Sequence, residues 1–221
     1  LFIEYMPTLQ QQVRTGIVGN YVHLRDNLVH VVDADNYDFI AHAYINYHIN
    51  NEDSPTFASK GWKLNINGKY LVPFIKLDDG STMGHSIIVK ADFDGSIAVG
   101  KRHSLKIGAT VGSSFTNDEI PLSYRFFVGG QSHMKYFDNI IAFEGLRFTQ
   151  LYGNNIAIGK ISWQYNFYKS LYAIANCNGG YVADDHSTWF SDENFTFGCG
   201  LTLGMKTKAG PIEVSIMGSN R

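Results

Sequence analysis

A strict alternation of side chains runs through the stretch Tyr37-Asp38-Phe39-Ile40-Ala41-His42-Ala43-Tyr44-Ile45-Asn46-Tyr47-His48-Ile49. Every odd position is apolar or aromatic, whereas the even positions include Asp38, His42, Asn46 and His48. Because successive side chains of a β-strand point to opposite faces, this period of two predicts a strand with one apolar face and one wet face.

The same two-faced pattern recurs along most of the chain, in the segments 62–72, 86–94, 104–111, 157–167, 171–177 and 195–205. The predicted strands are roughly 9 to 13 residues long, whereas strands of globular proteins have about 5–6 residues. A tilted strand needs about 9–11 residues to cross a bilayer. We therefore predict an all-β fold, an antiparallel transmembrane β-barrel or part of one, with a lipid-facing outer surface and a wet lumen.

The composition of the 221 residues agrees with strands and excludes two classes of protein. Aromatic residues, which strands favour, make up 14% of the chain. Only 17% of the residues are charged and the net charge is −2, so nucleic-acid binding by bulk positive charge is excluded. No run approaches the ~18 consecutive apolar residues of a membrane-spanning helix, which excludes a helical membrane protein.

The connections between the predicted strands are of two kinds. Tyr168-Lys169-Ser170 and Lys208-Ala209-Gly210-Pro211 are tight turns, whereas 113–140 and 183–193 are long. Barrels of the bacterial outer membrane have short periplasmic turns and longer external loops. We therefore expect the lipid bilayer as a partner, the Gram-negative outer membrane as the location, and 113–140 as the longest excursion.

Three segments resemble a known family. Pro55-Thr56-Phe57-Ala58-Ser59-Lys60-Gly61-Trp62 leads with a basic residue and a glycine into a long strand, and Pro121-Leu122-Ser123-Tyr124-Arg125-Phe126-Phe127-Val128-Gly129-Gly130 is an aromatic run ending in Gly-Gly. Phe143-Glu144-Gly145-Leu146 falls where the family has an apolar residue, Arg, Gly and an aromatic residue. In these features residues 37 to 217 resemble the outer-membrane-protein assembly, or bacterial surface antigen, superfamily.

The resemblance implies a loop that folds back into the lumen. The loop residues that it places in the lumen are Arg125, Gly129, Gly130, Phe143, Glu144, Gly145 and Leu146. Glu144 stands where the family has Arg, so the family's ion pair cannot form in that way; here the chain is most like the barrel domains attached to bacterial patatin-like phospholipases. Arg125 opposite Glu144 would supply a replacement ion pair, and the alternative for Arg125 is an exposed loop residue.

The number of predicted strands is small for this family. Its barrels usually have sixteen strands, whereas the pattern gives about nine or ten. Each unpaired backbone group in lipid costs several kcal/mol, so an open edge needs a partner. We therefore expect residues 1–221 to be one barrel domain, incomplete at both ends, that is completed by flanking sequence or by a barrel-completing chain such as a second copy. An attached periplasmic domain is a further expected partner.

No catalytic motif is found, and no cofactor is expected. Gly130-Gln131-Ser132-His133-Met134 has a serine beside a histidine but lacks the second glycine of the G-x-S-x-G nucleophile elbow. We expect no enzyme within these residues, although a patatin-like phospholipase domain could lie outside them.

The sequence gives only weak indications of a metal site or a disulfide bond. The candidate Ca²⁺ ligands Asp184, Asp185 and Asp192 share one loop, but a solvated external loop is the favoured interpretation because the spacing of a calcium loop is missing. Cys177 and Cys199 are too few for a disulfide framework, and we interpret them as small apolar strand residues.

The sequence favours a barrel that anchors an attached or partner protein, or assists its passage through or insertion into the membrane. One alternative is a passive channel for small solutes, which conductance measurements would identify. The other is a soluble lipocalin-like β-barrel carrier, which solubility without detergent would identify.

Overall fold

The computed structural model describes residues 1–24, 36–72, 85–116, 120–131 and 138–221. The long strands are β1 (Phe2–Thr8), β2 (Gln11–Leu24), β3 (Asn36–Asn50), β4 (Gly61–Val72), β5 (Ser86–Ala98), β6 (His103–Phe115), β10 (Asn155–Tyr168), β11 (Leu171–Ala183), β12 (Phe195–Thr207) and β13 (Gly210–Ser219). Three short strands, β7 (Phe126–Val128), β8 (Ile140–Ile141) and β9 (Leu151–Gly153), lie between β6 and β10. Within the described ranges, no helix is both long and apolar enough to span a membrane.

The ten long strands form one antiparallel sheet in the order β1-β2-β3-β4-β5-β6-β10-β11-β12-β13. Among the described residues, β1 pairs with β2 alone and β13 pairs with β12 alone, so the sheet is open. The predicted all-β class, the antiparallel arrangement and the partial barrel are confirmed.

The two faces of the sheet follow the predicted register. On the outer face Trp163 is 52% exposed and Leu201 is 68% exposed. On the inner face, which carries the chain between β6 and β10, Gln164 is 3% exposed and Thr202 is 7% exposed. Since a shift of one residue would reverse every side chain, these four residues confirm the assignment of the lipid-facing surface.

Aromatic side chains mark two levels on the outer face. One level contains Tyr181 and Phe195, whose ring centroids are 5.1 Å apart, and the other contains His103 stacked on Tyr165 at 4.5 Å. Tyr181 is paired with Ala157, eight residues before Tyr165 on β10, so the levels lie about 27 Å apart along the strand. At a strand tilt of about 40° this corresponds to ~20 Å along the membrane normal, close to the apolar band of outer-membrane barrels.

Ile161 lies midway between these aromatic levels and is 51% exposed. We expect Ile161→Arg to lower the free energy of unfolding in lipid by about 2–4 kcal/mol, because it places a charge near the bilayer midplane. Phe167→Arg, beyond the aromatic level, is the control and should cost about 0–1 kcal/mol. Urea titration of the protein folded in vesicles measures both values, and equal costs would contradict the face assignment.

The inner face is not wet along its whole length. Near the ends of the strands that carry the long loops, apolar side chains point inward and are buried: Ile40, Leu71, Ile88, Ile156 and Ile158. They form one apolar core with residues of the chain between β6 and β10: Ile120, Tyr124, Phe126, Val128, Ile141, Phe143 and Leu146. The expectation of a polar lumen is therefore wrong for this half, because an inserted loop supplies an apolar surface for these side chains to bury.

Cys177 and Cys199 lie directly opposite each other on β11 and β12. They form a disulfide, and no free cysteine is found in the part of the chain that the structure describes. The interpretation of these residues as two unbonded strand side chains is therefore wrong. The sequence alone gave no register for β11 and β12, and the pairing depends on that register.

Candidate functional site

The described part of the chain between β6 and β10 folds into the concave side of the sheet. It leaves the sheet after Phe115 and returns at Asn155, so the excursion is displaced from the predicted range of 113–140. Strands β7, β8 and β9 form a small sheet of their own within it, in the order β8-β7-β9. We call the described part of this excursion, residues 120–131 and 138–154, the inserted loop.

Backbone hydrogen bonds join the Gly129-Gly130 pair to residues 141–146 of the inserted loop, which we call the loop tip. Gly129 N donates to Ile141 O at 2.9 Å, and Gly130 N donates to Leu146 O at 3.1 Å. Phe143 N in turn donates to Gly130 O at 3.0 Å. Gly129 has φ +134° and a Cβ there would overlap Arg147 O, so glycine is required at this position.

The loop tip lies along one row of inward-facing residues that crosses four strands. The strand register places Lys160 of β10 beside Asn178 of β11, then Gly198 of β12, then Ser219 of β13. Glu144 Oε1 lies 3.4 Å from Lys160 Nζ. The Asn178 amide, oriented so that both of its atoms are paired, accepts from Glu144 N at 2.8 Å and donates to Gly198 O at 3.1 Å.

The remaining contacts of the tip are made with the backbone of β12 and β13. Ser219 Oγ donates to Gly145 O at 3.1 Å. A Cβ at Gly198 would overlap Glu144 O, and a Cβ at Gly145 would overlap the backbone at Gly218. Since Gly145 also has φ +82°, it fits this approach in both conformation and space. The tip is therefore seated where neighbouring backbones can approach closely.

Glu144 is a buried carboxylate whose ionic partner among the described residues is Lys160. It is 6% exposed as a residue, whereas the Lys160 side chain is 40% exposed. Its second oxygen, Oε2, is buried near Gly200 and has no hydrogen-bond donor among the described residues. Because a buried charge is costly unless it is paired, the position of Glu144 depends on Lys160.

Arg125 does not contact Glu144. Its Nη1 lies 3.6 Å from Asp184 Oδ1, and its Nε donates to Ile120 O at 3.3 Å. Of the two alternatives for Arg125, the ion pair with Glu144 is therefore not formed. Arg125 precedes β7 and reaches the long-loop end of β11, whereas Glu144 lies further along the lumen beside Lys160.

Tyr124 attaches the inserted loop to the opposite side of the sheet. Its hydroxyl lies 2.8 Å from His42 Nδ1 on β3 and accepts a hydrogen bond from Asn20 Nδ2 on β2 at 3.2 Å. Burial raises the pKa of Tyr124, so the hydroxyl stays protonated at neutral pH. The inserted loop therefore spans the concave face from β2 to β13.

The weaker candidates form no site in the described residues. Asp184 pairs with Arg125, and no group of three potential metal ligands is found there for Asp184, Asp185 or Asp192 to join. Ser132 and His133 lie outside the described residues.

The residues of the sheet that contact the tip belong to no motif in the sequence. The alternation of 157–167 and 195–205 places Lys160, Gly198 and Gly200 on polar faces, but it does not indicate which part of the chain they contact. Three glycines on the inner face of β12, Gly198, Gly200 and Gly204, are a usable signal, because they leave a groove for another part of the chain.

Comparison with known proteins places these features in a family. The chain superimposes on the crystal structure of BamA from Haemophilus ducreyi lacking POTRA domains 1–3, with a TM-score of 0.75 and 12% sequence identity. The match covers 100% of this chain and 50% of that one, so the chain spans about half its length. A search of curated proteins found no match. Residues 12–220 match the OMP85 superfamily. This chain, an outer-membrane β-barrel with an inserted loop, therefore belongs to the OMP85 superfamily.

Proposed function

We propose that this barrel anchors an attached or partner protein at the outer membrane, or assists its passage or insertion. The observation that supports the proposal is the seating of the loop tip on four adjacent strands through Lys160, Asn178, Gly198 and Ser219. Because the loop is attached to this row of residues, its presence in or absence from the lumen is coupled to the positions of β10 to β13.

Insertion of a client protein into vesicles tests this function. A small urea-unfolded outer-membrane barrel is diluted into vesicles that contain the purified protein, and its folding is followed by its shift on gels without heating. We expect faster folding than in empty vesicles, and slower folding again with Gly198→Val, which removes the seat of the tip. Gly159→Ala is the matched control, since a Cβ there meets only Gly179 O at 3.9 Å. Equal rates in empty and loaded vesicles would contradict assisted insertion.

A passive channel for small solutes is the second candidate. Two cavities of about 240 and 390 Å³ on the inner face, lined by charged residues such as Lys63, Asp94 and Lys160, favour it. Large and steady currents in planar bilayers would support the channel, whereas small and erratic currents are expected for a barrel occupied by its own loop. The soluble carrier is disfavoured by the exposed apolar outer face, where Leu201 is 68% and Leu203 is 62% exposed.

We also propose that this chain has no catalytic role of its own. Attachment of a patatin-like phospholipase domain stays a prediction that rests on Glu144 at the family's arginine position. Release of fatty acid from vesicle phospholipid by the full-length protein would support the attachment, and its absence together with an intact mass that leaves no room for such a domain would contradict it.

A further inference from the structure

The turn between β3 and β4, residues 51–60, lies at the end of the sheet opposite the inserted loop. The other connections at this end are short: 9–10, 99–102, 169–170 and 208–209. Residues 51–60 instead form a longer connection between β3 and β4, whose two ends are joined by backbone hydrogen bonds. We call residues 51–60 the mouth segment.

Hydrogen bonds within the mouth segment hold its shape. Asp53 Oδ1 accepts from Ser59 N at 2.8 Å and from Lys60 N at 3.2 Å, and Asp53 Oδ2 accepts from Ser59 Oγ at 2.6 Å. Burial acts to raise the pKa of Asp53, but these hydrogen bonds outweigh it and hold the pKa below its ordinary value. Asp53 is therefore ionised at neutral pH, where it accepts all three bonds.

The mouth segment contacts the far side of the sheet through Phe57. The Phe57 ring stacks on Tyr172 of β11, with centroids 4.4 Å apart and planes inclined by 13°. It also covers Gly204 of β12, where a Cβ would lie 2.6 Å from the ring. In the sheet, β4 and β11 are four strands apart, which is about 19 Å along the sheet surface. A contact over 4.4 Å therefore means that the segment crosses the concave face.

Polar contacts fix the crossing at two more points. Gln164 of β10 donates from Nε2 to Phe57 O at 3.2 Å and lies 3.4 Å from Ala58 O. Lys206 of β12 donates to Ser54 Oγ at 3.1 Å. Ala58 is 5% exposed and Gln164 is 3% exposed, so water is excluded from this contact.

A chamber lies between the mouth segment and the loop tip. Its volume is about 240 Å³, and it is lined by Glu52 and Phe57 at one end and by Gln131 and Glu144 at the other. Lys63, Lys106 and Lys160 are among the residues of its wall. The concave face of the sheet is therefore covered at two separate levels, by the mouth segment at one and by the loop tip at the other.

We propose that the mouth segment is a gate that closes the short-turn end of the barrel to small ions, independently of the inserted loop. Phe57 is its closing residue, and Tyr172, Gly204 and Gln164 form its seat. In outer-membrane barrels the short turns face the periplasm, so the gate is on the periplasmic side. This proposal goes beyond the role of the barrel in handling a partner protein, because it concerns ion permeation alone.

Conductance of the purified protein in planar bilayers tests the gate. Phe57→Gly removes the ring and suits the positive φ of 52° at this position, so the turn itself should persist. We expect its mean conductance to rise several-fold over that of the unchanged protein. Gly204→Val, which fills the space of the ring, should give the same rise. Lys169→Gly is the matched control, because Lys169 also has a positive φ, of 37°, in an exposed turn at the same end.

A cross-link supplies the reverse test. Ser54→Cys and Lys206→Cys are joined by a short bismaleimide, which should react in high yield because the native side chains are in contact. The cross-linked protein should stay at low conductance. Unchanged conductance in both Phe57→Gly and Gly204→Val would overturn the proposal, as would failure of the cross-link to form in the folded protein. A rise in conductance seen only when the loop tip is displaced by Gly198→Val would also overturn it. Client insertion is measured in a separate experiment, so the gate and the proposed function can fail independently.

Discussion

Replacing Gly198 with valine is expected to release the loop tip from the wall of the barrel. A Cβ at this position would overlap Glu144 O, which is a backbone atom and cannot rotate away. Neighbouring backbone atoms must then move, and overpacking of this kind costs about 1–3 kcal/mol. The tip also loses its register with Lys160 and Ser219, so the whole row of contacts is affected.

Thiol labelling measures the release. A cysteine at Leu146, which is 3% exposed, should be almost unreactive towards a bulky maleimide in the otherwise unchanged protein and should react rapidly in combination with Gly198→Val. The native cysteines do not contribute, because Cys177 and Cys199 are bonded to each other. Gly159→Ala serves again as the control. Rapid labelling before the Gly198 change would mean that the tip is not seated in the lumen.

The fold was predictable because its signals are local. The alternation of Tyr37 to Ile49 and of the later segments determines both the strands and their faces, since the period of two is a property of each strand alone. Strands of this length can cross a bilayer, so the apolar face is expected to lie against lipid. The confirmed exposure of Trp163 and burial of Gln164 follow from this.

The contacts of the site were less predictable because they join distant parts of the chain. Glu144 and Lys160 are sixteen residues apart and meet at the end of a long excursion. Phe57 and Tyr172 meet only because the sheet curves enough to bring β4 and β11 to opposite sides of one lumen. Curvature and loop paths have no period in the sequence, so neither pair could be recognised from spacing.

Two apparent irregularities in the sequence have a physical explanation in the structure. Ile156 and Ile158 interrupt the polar face of β10, and both are buried beneath the inserted loop. The Phe126 ring packs directly on Gly112 of β6, where a Cβ would lie 2.6 Å from the ring. Apolar or glycine positions on an otherwise polar inner face thus indicate where another part of the chain packs.

Reversing the charge of Lys160 is expected to destabilise the seated tip even when the backbone is unchanged. Lys160→Glu replaces the ammonium group, whose Nζ lies 3.4 Å from Glu144 Oε1, with a second carboxylate facing that of Glu144. Leaving a buried acceptor without its partner costs about 1–3 kcal/mol, and more when the acceptor is charged. Because the Lys160 side chain is 40% exposed, solvent screens part of the interaction, and we expect the lower half of this range.

The double variant Glu144→Lys with Lys160→Glu separates attraction between the two residues from their individual effects. The reversed pair restores opposite charges, so it should recover part of the stability lost in either single variant, with a coupling energy of at least about 0.5 kcal/mol. Urea unfolding in vesicles gives the energies, and labelling of a cysteine at Leu146 reports the tip directly. Lys101→Glu, in an exposed turn outside the lumen, controls for the change in net charge. Strictly additive effects of the two substitutions would show that Lys160 does not hold Glu144, and the seat of the tip would then depend on Asn178 and the glycine groove alone.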